Sequence, residues 1–449
     1  MKAAWMRLGE RTSDRWVRGL LLLTVFLLPV GSVWIISEAN ATVAGARNSF
    51  AVPVFYLIEG LVLVTAAAWS ALRLRDARHR RVLRQNASLL APLLGLVVLA
   101  AASILWAPEP LLAGVGAIHL AVAFSLAAML AYELRDRAFL RAVFWTFTAA
   151  AALQAVWGIA QYAAQHDFGL WRLGESGLAP DKAGIAKVAT IEGPLVRAYG
   201  SLPHPNVLAA YLSLAAFWVG TVVFWKNGER SRLRQLGFAL LLALLGAGLL
   251  VTFSRVAIIA TLVGGVLVAL FSWRRWQWLP PAAGIAAAAT LAVALVLAPA
   301  LMQRTSLESR DETGITNRAV GYRQAALVIT TQPHGAGIGN FVPVAHLLDA
   351  GRPAYQYQPV HNVPLLATAE LGLLGGALLA WFAARLGRRF HRSSSRNRRE
   401  RSIEFMLLSV TGAFVLMAAA DHFFWSQVPG LLLGAVLLSA LLSRRAHVA

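Results

Sequence analysis

The chain is built mostly from apolar runs that are about as long as a membrane is thick. Hydrophobic residues make up 58% of its 449 residues, and a transmembrane helix needs about 20 consecutive apolar residues. Because the bilayer core satisfies no backbone polar group, such runs must form helices or a closed barrel. The sequence therefore predicts an all-α polytopic membrane protein with about twelve transmembrane helices. The predicted spans are approximately 17–37, 50–72, 88–106, 111–133, 138–164, 206–225, 235–253, 256–273, 279–301, 363–385, 403–420 and 424–443.

The net charge of +20 follows the predicted topology. If the N-terminus is cytoplasmic and the spans alternate, 30 of the 41 lysines and arginines fall in the cytoplasmic segments. This distribution obeys the positive-inside rule and places both termini in the cytoplasm. Since the basic excess is explained by topology, no nucleic-acid partner is predicted.

Two exterior loops are long enough to contribute to a site. The predicted organisation is five spans in 1–164, a first exterior loop at 165–205, four spans in 206–301, a large exterior loop at 302–362, and three spans in 363–449. Within the large loop, Ala319, Tyr322, Ala326 and Ile329 recur at helical spacing and predict a short amphipathic helix over 317–330. The glycine-rich segment 335–340 is expected to form a flexible turn after it.

Three predicted spans begin at the exterior face beside a polar residue. Asn206, Ser254 and Asn362 can each cap the start of a helix. Helix N-termini carry partial positive charge and free N–H groups, which attract anions. Together with Arg197 and Arg255, these termini predict an anion site at the outer membrane surface. A phosphate or diphosphate group fits such a site.

Structural roles are also open for these residues. Arg197 is compatible with a solvated loop residue, and His361 with a helix cap or an interface residue. Arg255 lies between two apolar runs, where a buried cation costs at least ~2.5 kcal/mol at mid-bilayer. It therefore needs a ligand or a partner, or it extends to exterior lipid phosphates.

Four further residues near these helix starts fit a structural packing role at least as well as a functional one. His204 lies between two prolines, which favours a structural role. Glu370, nine residues after His361, fits either a polar packing contact or the site. Gly372 and Gly376 have the spacing of close helix packing in membranes.

The remaining ionisable residues define no second site. Glu308, Asp311 and Glu312 are clustered in the large loop, but their spacing matches no specific metal-ligand pattern. Neither a metal nor any other cofactor is therefore predicted. Glu59 and His119 lie within predicted spans, and the sequence assigns neither of them a role.

Four segments, in this order on the predicted exterior face, resemble the O-antigen ligase and polymerase superfamily, and most closely its ligase branch. They are RAYGSLPHPNVLAAY (197–211), TFSRVA (252–257), PHGAGIGNF (333–341) with Arg318 and Arg323 upstream of it, and HNVPLLATAELGLLG (361–375). The resemblance covers about 190–380, and the first five spans match the superfamily in hydropathy alone.

The resemblance implies a glycosyltransferase of the membrane-embedded C-type (GT-C) architecture in the inner membrane of a Gram-negative bacterium. It implies an undecaprenyl-diphosphate-linked O-antigen as donor, a sugar hydroxyl of the lipid A-core as acceptor, and metal-independent transfer on the periplasmic side. Arg197 and Arg255 match the family's functional arginines, and His361 matches its histidine. The possible supporting residues are His204, Asn206, Ser254, Arg318, Arg323, Asn362 and Glu370.

The chemistry of these residues is consistent with that activity. A diphosphate is a good leaving group, so positive charge from Arg197, Arg255 and the helix N-termini is sufficient to stabilise its departure. Histidine titrates in the range suited to a general base, so His361 is expected to take the proton of the attacking hydroxyl. Backside attack would invert the anomeric centre.

Three other functions remain open from the sequence. An O-antigen polymerase or a protein O-oligosaccharyltransferase of the same superfamily would carry the same segments. A lipid-linked sugar transporter is a different class, which typically has repeated halves and a site exposed to both faces in turn. Here the polar groups gather at one face and no repeat is evident, so the sequence favours an enzyme.

The predicted topology can be tested with single cysteines, because the chain contains none. A cysteine at Ser394, in the basic loop 385–402, should be protected from a membrane-impermeant thiol reagent in intact cells. Asp181→Cys, in the first exterior loop, is the positive control. Labelling of position 394 from the outside would contradict the topology.

Overall fold

The computed structural model describes residues 2–73, 76–225, 231–272, 281–305, 312–392 and 398–443, and it is mostly helical. The helices are α1 (Lys2–Leu27), α2 (Leu57–Arg73), α3 (Ala77–Ala102), α4 (Pro110–Glu133), α5 (Arg137–Ala164), α6 (Pro205–Trp225), α7 (Arg232–Leu250), α8 (Arg255–Ser272), α9 (Pro281–Val296), α10 (Ala298–Thr305), α11 (Glu312–Thr331), α12 (Phe341–Leu348), α13 (Val363–Arg392), α14 (Arg398–Ala420), α15 (Phe423–Ser426) and α16 (Val428–Ser443). The strands are β1 (Val33–Ile35), β2 (Thr42–Val43), β3 (Ala46–Arg47), β4 (Val54–Tyr56), β5 (Lys187–Thr190) and β6 (Gly193–Val196). They pair as three antiparallel ribbons, β1 with β4, β2 with β3 and β5 with β6.

Six of the described helices are long and apolar enough to cross a membrane. They lie at His79–Leu105, Pro110–Glu133, Arg137–Ala164, Pro205–Val223, Arg232–Leu250 and Val363–His391, and shorter apolar helices lie at Arg255–Val268, Ala283–Val296, Glu404–Ala420 and Val428–Ser443. The predicted all-α membrane protein is confirmed at this level. The count of twelve spans and the GT-C architecture stay predictions.

The first predicted span ends earlier as a helix than its apolar run does, and the second begins later, because strands occupy part of both runs. Helix α1 ends at Leu27, and the rest of the first run contains strand β1, which pairs with β4 at the start of the second run. Pro29 ends the helical run because proline cannot donate the next hydrogen bond. The β-branched and aromatic residues of both strands then suit a ribbon. Hydropathy alone does not distinguish such a ribbon from a helix.

Helix α13 is interrupted at Gly372, whose φ of 71° is left-handed. The glycine-rich turn of the large loop packs into the interruption. There the N–H of Ala336 donates to the carbonyl of Ala369 (3.0 Å), and that of Gly337 donates to the carbonyl of Glu370 (2.8 Å). Backbone groups freed by a broken membrane helix need such partners. The turn is therefore buried and packed rather than flexible.

The expected helix–helix role of the two glycines is wrong. A Cβ on Gly372 would lie 2.4 Å from the carbonyl carbon of His334, in the loop, and one on Gly376 would lie 2.5 Å from Oγ1 of Thr368, in the same helix. Gly372 is required by the backbone conformation and by the close approach of the loop. Spacing alone gives no sign of an interruption.

The predicted helix over 317–330 exists as part of α11, but its buried face is different. Ala319, Tyr322 and Ala326 are exposed, whereas the buried residues include Val320, Gln324, Ala325 and Val328. Because small residues occur on both faces of this helix, the apolar pattern fits equally well when the buried face is shifted by one residue. Helix α11 packs with this buried face toward α12 and α13.

The apolar interior forms two large clusters. One surrounds Phe147 and Tyr211 on α5 and α6, and the other surrounds Phe341 and Tyr357 beneath the large loop. A cavity of about 510 Å³ lies between them and is lined by Tyr56 and Phe423 of the first cluster and by Phe341 and Trp425 of the second.

Gly372→Ala should destabilise the protein. A methyl group at this left-handed position adds strain of about 1–3 kcal/mol, and the contact with His334 adds to it. Gly387→Ala is the matched control, because it lies on the same helix with nothing within 4 Å of its added Cβ. The apparent melting temperature in detergent, followed by tryptophan fluorescence, should fall for the first variant alone. Equal melting temperatures would contradict the role of the interruption.

Candidate active site

Arg197 is held by two elements at one end of the bundle. It follows strand β6, and its guanidinium is nearly buried, with 5% of the residue exposed. Its Nε donates to the carbonyl of Thr252 (2.6 Å), just before α8, and its Nη2 donates to Oδ1 of Asn206 (2.7 Å) in the first turn of α6. The solvated-loop interpretation of Arg197 is therefore wrong. The side chain joins the starts of two helices.

The chain of hydrogen bonds continues from Asn206 to Asp421. Nδ2 of Asn206 donates to Oδ2 of Asp421 (2.5 Å), and the backbone N–H of His422 donates to Oδ1 (2.7 Å). The amide of Asn206 thus connects a buried cation to a buried anion. Asp421 and His422 were not among the residues that the sequence analysis selected. The available signal was a pair of ionisable residues in the short connection between two apolar runs, 403–420 and 424–443.

Three arginines line one small cleft of about 70 Å³. Arg197 is buried beside it, while Arg255 at the start of α8 and Arg318 on α11 are exposed. Ser254, Asn206 and Asp421 also line the cleft. The structure therefore brings together the two arginines and two of the helix starts that the sequence selected, with Arg318 of the large loop, one of the selected supporting residues.

The large cavity between the two apolar clusters adjoins this cleft. Asp421 and Phe423 line both, so they form the wall between them. His204, His361, Glu370 and His422 line the large cavity. A cluster of cations thus lies on one side of the wall and a cluster of histidines on the other.

His361, Asp421 and His422 form the tightest group in the large cavity. One ligand atom from each lies within 4.8 Å of the others, and the two imidazole rings meet edge to face with centroids 4.9 Å apart. Nδ1 of His422 also lies 2.6 Å from Oγ of Ser426. These residues lie in connections outside the membrane-spanning segments.

Burial keeps the three histidines of this region neutral. It lowers the pKa of His422 to about 4 and that of His204 to about 3, and the nearby Arg197 acts on His204 in the same direction. Burial also lowers the pKa of His361, with Arg318 contributing, while Asp421 acts in the opposite direction. A neutral imidazole retains a lone pair that can accept a proton.

Asp421 is ionised in this setting. Burial opposes its charge, but the histidines His422, His361 and His204 and the hydrogen bond from Asn206 together hold its pKa below the usual range. The negative charge therefore stands directly between the arginine cleft and the histidines.

The helix starts are capped, though not all by the expected residues. Asn362 caps α13 as expected, since its Oδ1 accepts from the N–H of Leu365 (2.9 Å). At α6 the cap is His204, whose Nδ1 accepts from the N–H of Asn206 (3.1 Å). The expected capping role of Asn206 is wrong, because its side chain is used by Arg197 and Asp421. Ser254 directly precedes α8 as expected.

Two of the remaining selected residues are placed differently from the core of the site. Glu370 is buried, and its Oε2 accepts from Nε1 of Trp425 (2.7 Å) at the border of the large cavity. Arg323 is exposed on α11 and does not line either cavity. Arg318, one turn and a half earlier on the same helix, is therefore the arginine of α11 that reaches the site.

The acids that the sequence analysis considered for a metal are Glu308, Asp311 and Glu312. Glu308 and Asp311 lie outside the described residues, and nothing is described of the side chain of Glu312. Two imidazole nitrogens and a carboxylate oxygen, from His361, His422 and Asp421, form a donor set that divalent cations accept. Here both oxygens of Asp421 already accept hydrogen bonds.

Residues 238–380 match the family described as O-antigen ligase. This match supports a member of the O-antigen ligase superfamily. The matched region contains Arg255, Arg318 and His361, whereas Arg197 and Asp421 lie outside it.

No curated protein matches the chain. Among solved structures, the chain is similar to one described as "Structural coordination of polymerization and crosslinking by a peptidoglycan synthase complex". The identity is 17%, the match covers 79% of this chain and 97% of the other, and the TM-score is 0.40. A similarity at this level carries no argument about function.

Acidification should destabilise the protein through its buried histidines. The pKa of His422 is about 4 in the folded protein and about 6.5 when unfolded. Its contribution to stability is therefore complete above pH 6.5 and is lost as the pH falls toward 4. His422→Gln should flatten the decline of the apparent melting temperature between pH 6.5 and 4. Exposed His391→Gln should leave the decline unchanged, and an equally steep decline in both variants would contradict the assignment.

Proposed function

We propose that the protein is an O-antigen ligase. It transfers a glycan from undecaprenyl diphosphate to a sugar hydroxyl of the lipid A-core, on the periplasmic side of a Gram-negative inner membrane. The observation that carries this proposal is the shared wall between the arginine cleft and the histidine cavity. A diphosphate in the first and a hydroxyl in the second would meet at Asp421 and Phe423.

The arginine cleft suits the diphosphate of the donor. Arg255 and Arg318 are exposed beside it, and Arg197 is fixed by its bonds to Thr252 and Asn206. A cation held in place before the reaction costs no reorganisation when charge develops on the leaving group. Guanidinium groups also bind phosphate oxygens in pairs, which a lysine does not. The arginine-to-lipid interpretation of Arg255 is less favoured, because it lies in the same cleft as two other arginines.

The transfer step then follows from the neighbouring histidines. The acceptor oxygen forms a bond to C1 of the donor sugar, the bond from C1 to the phosphate oxygen breaks, and undecaprenyl diphosphate leaves. His361 takes the hydroxyl proton as a neutral base. Attack from the side opposite the diphosphate inverts the anomeric centre.

Asp421 resolves a conflict between the two halves of this chemistry. The arginines needed for the diphosphate make a nearby histidine less basic, since they repel a second positive charge. The carboxylate of Asp421 stands between them and His361 and offsets that repulsion. It also stabilises the imidazolium that forms during transfer. In this role Asp421 is a positioning residue with an electrostatic function.

Catalysis without a metal remains part of the proposal. A cation held by His361, Asp421 and His422 would have to compete with the bonds that Asp421 and His422 already make to Asn206 and Ser426. It would also block the lone pair of His361 that the base role requires. The arginines supply the positive charge that a metal would otherwise provide.

The lipopolysaccharide of a deletion strain tests the function directly. A ligase predicts lipid A-core without any attached O-antigen, with the glycan accumulating on undecaprenyl diphosphate. Mass spectrometry would identify both products. Core that carries a single repeat unit would instead indicate a polymerase, which is the second candidate, and an unchanged profile would contradict both.

Substitutions in the two halves of the site should have different kinetic effects. His361→Ala should lower turnover by about 10²–10⁴-fold, the usual contribution of a general base, while the KM for donor changes little. Arg255→Ala should lower turnover by about 10²–10³-fold, as the loss of a fixed charge at a leaving group does, and should weaken donor binding too. Arg255→Lys should also be impaired, because lysine lacks the paired donors.

The controls separate these effects from folding. Arg323→Ala, outside both cavities, should remain close to the parent protein. His361→Gln retains hydrogen bonding but cannot accept a proton at neutral pH. Near-normal turnover of His361→Gln would rule out the base role, and full activity of Arg255→Ala would rule out the diphosphate site.

A further inference from the structure

The large cavity opens on a second side, away from the arginine cleft. A groove of about 660 Å³ runs between strand β1 and the turn around Trp171, and it adjoins the cavity at Tyr56 and Pro203, which line both. The groove and the arginine cleft share no lining residue. The cavity therefore has two separate approaches, and the proposed reaction has two substrates.

The rim of this groove suits an anionic amphiphile. Val33, Ile35 and Trp171 line the groove, are apolar and are at least 41% exposed. Arg172 and Arg47 also line the groove beside this apolar surface, Arg47 in an ion pair with Glu38, and so does the buried Glu175. Acyl chains fit the apolar part, and a phosphorylated saccharide fits the basic part.

A buried carboxylate–histidine pair lies where the groove meets the cavity. Glu59 on α2 is fully buried, and its Oε1 lies 2.7 Å from Nδ1 of His119 on α4. Its Oε2 accepts from the N–H of Tyr56 (2.9 Å). The ring of Tyr56, which lines both the groove and the cavity, meets the ring of His119 edge to face. The mechanism proposed above uses neither member of the pair.

The pair leaves one ring nitrogen of His119 for a ligand. The carboxylate of Glu59 occupies Nδ1, so Nε2 is the ring nitrogen that is left to contact a ligand. His119 lines the large cavity and its side chain is 14% exposed. Among the described residues, no hydrogen bond to Nε2 is found. A fixed ring nitrogen at a cavity wall suits the hydroxyl group of a saccharide, which can both donate and accept a hydrogen bond.

We propose that the Glu59–His119 pair is the binding subsite for the acceptor saccharide, which reaches it through the groove beside β1. The inference rests on the proposed function, because it assigns the acceptor of that reaction. The donor diphosphate then binds from the opposite approach, at the arginines. The nucleophilic hydroxyl is presented to His361 while another hydroxyl of the same saccharide is held by Nε2 of His119.

The decisive variant is His119→Asn. The amide nitrogen of asparagine reaches the position of Nδ1 and can still donate to Glu59, but nothing replaces Nε2. The purified protein is assayed with lipid A-core and undecaprenyl-diphosphate glycan, varying each in turn. The KM for lipid A-core should rise about tenfold, as loss of one good hydrogen bond implies, with the KM for donor unchanged.

His346→Asn is the matched control. His346 is also partly buried and meets a tyrosine ring, Tyr357, edge to face, but it does not line any of the three volumes described here. It should leave both KM values unchanged. Equal melting temperatures of the two variants in detergent would show that folding is intact. An unchanged KM for lipid A-core in folded His119→Asn would overturn the proposal.

Two substitutions of opposite charge at Ile35, in the groove, provide an independent test of the route. Ile35 is 41% exposed, so either charge is tolerated there. Ile35→Glu should raise the KM for the anionic acceptor, and Ile35→Lys should not. Ile191→Glu, on a residue that is 91% exposed and outside the groove, is the control. Equal KM values for both Ile35 variants would exclude the groove as the route.

The outcomes separate this inference from the proposed function. If the parent protein transfers glycan only to a second polyprenyl-linked glycan, the ligase function fails. The subsite is then judged on the KM for that acceptor in His119→Asn. If the parent transfers glycan to lipid A-core and His119→Asn behaves like the parent, the function stands and the subsite fails.

Discussion

The buried link from Arg197 through Asn206 to Asp421 organises the end of the molecule that carries the candidate site. A cation and an anion are both removed from water here, and each would be costly alone. Asn206 satisfies them together, with its oxygen accepting from Arg197 and its amide nitrogen donating to Asp421. The link ties together the first exterior loop, the start of α6 and the turn between α14 and α15. The positions of the arginine cleft and of the histidine cavity both follow from it.

The same link also determines the electrostatics of the site. Positive charge is concentrated on one side, where we propose that a diphosphate binds, and His361, the proposed proton acceptor, lies on the other. Without a negative charge between them, the cleft would suppress the basicity of His361. An isolated carboxylate would be expensive to bury, but Asp421 is held by Asn206 and by the backbone of His422. Asp421 therefore allows a strongly positive cleft and a basic histidine to lie side by side.

The sequence predicted the residues that carry recognisable chemistry next to a helix start. Arg197, Arg255 and His361 were selected because polar residues at the ends of apolar runs are informative. The apolar runs located the helices because hydropathy reports burial in lipid. Asp421 was missed because it lies in a three-residue connection with no motif, and its importance depends on contact with Asn206, 215 positions away.

Other predictions were wrong where contacts with distant parts of the chain, rather than the local sequence pattern, determine the structure. The ribbon of β1 and β4 is apolar, so hydropathy extended two predicted spans into it. The buried face of α11 was misplaced because small residues occur on both of its faces. The role of Asn206 as a cap was reasonable from its position, but two charged partners take its side chain. Distant partners of this kind leave no trace in a single sequence.

The interruption of α13 makes part of the large exterior loop a component of a membrane helix. Residues 335–337 complete the hydrogen bonding that α13 loses at Gly372, and neither segment is fully satisfied without the other. Loop and helix therefore form one structural module. A chimera that exchanges residues 302–362 between relatives, but keeps the native α13, would join two surfaces that had not adapted to each other. Exchange of acceptor or donor preference by loop grafting requires a graft that extends through Gly372.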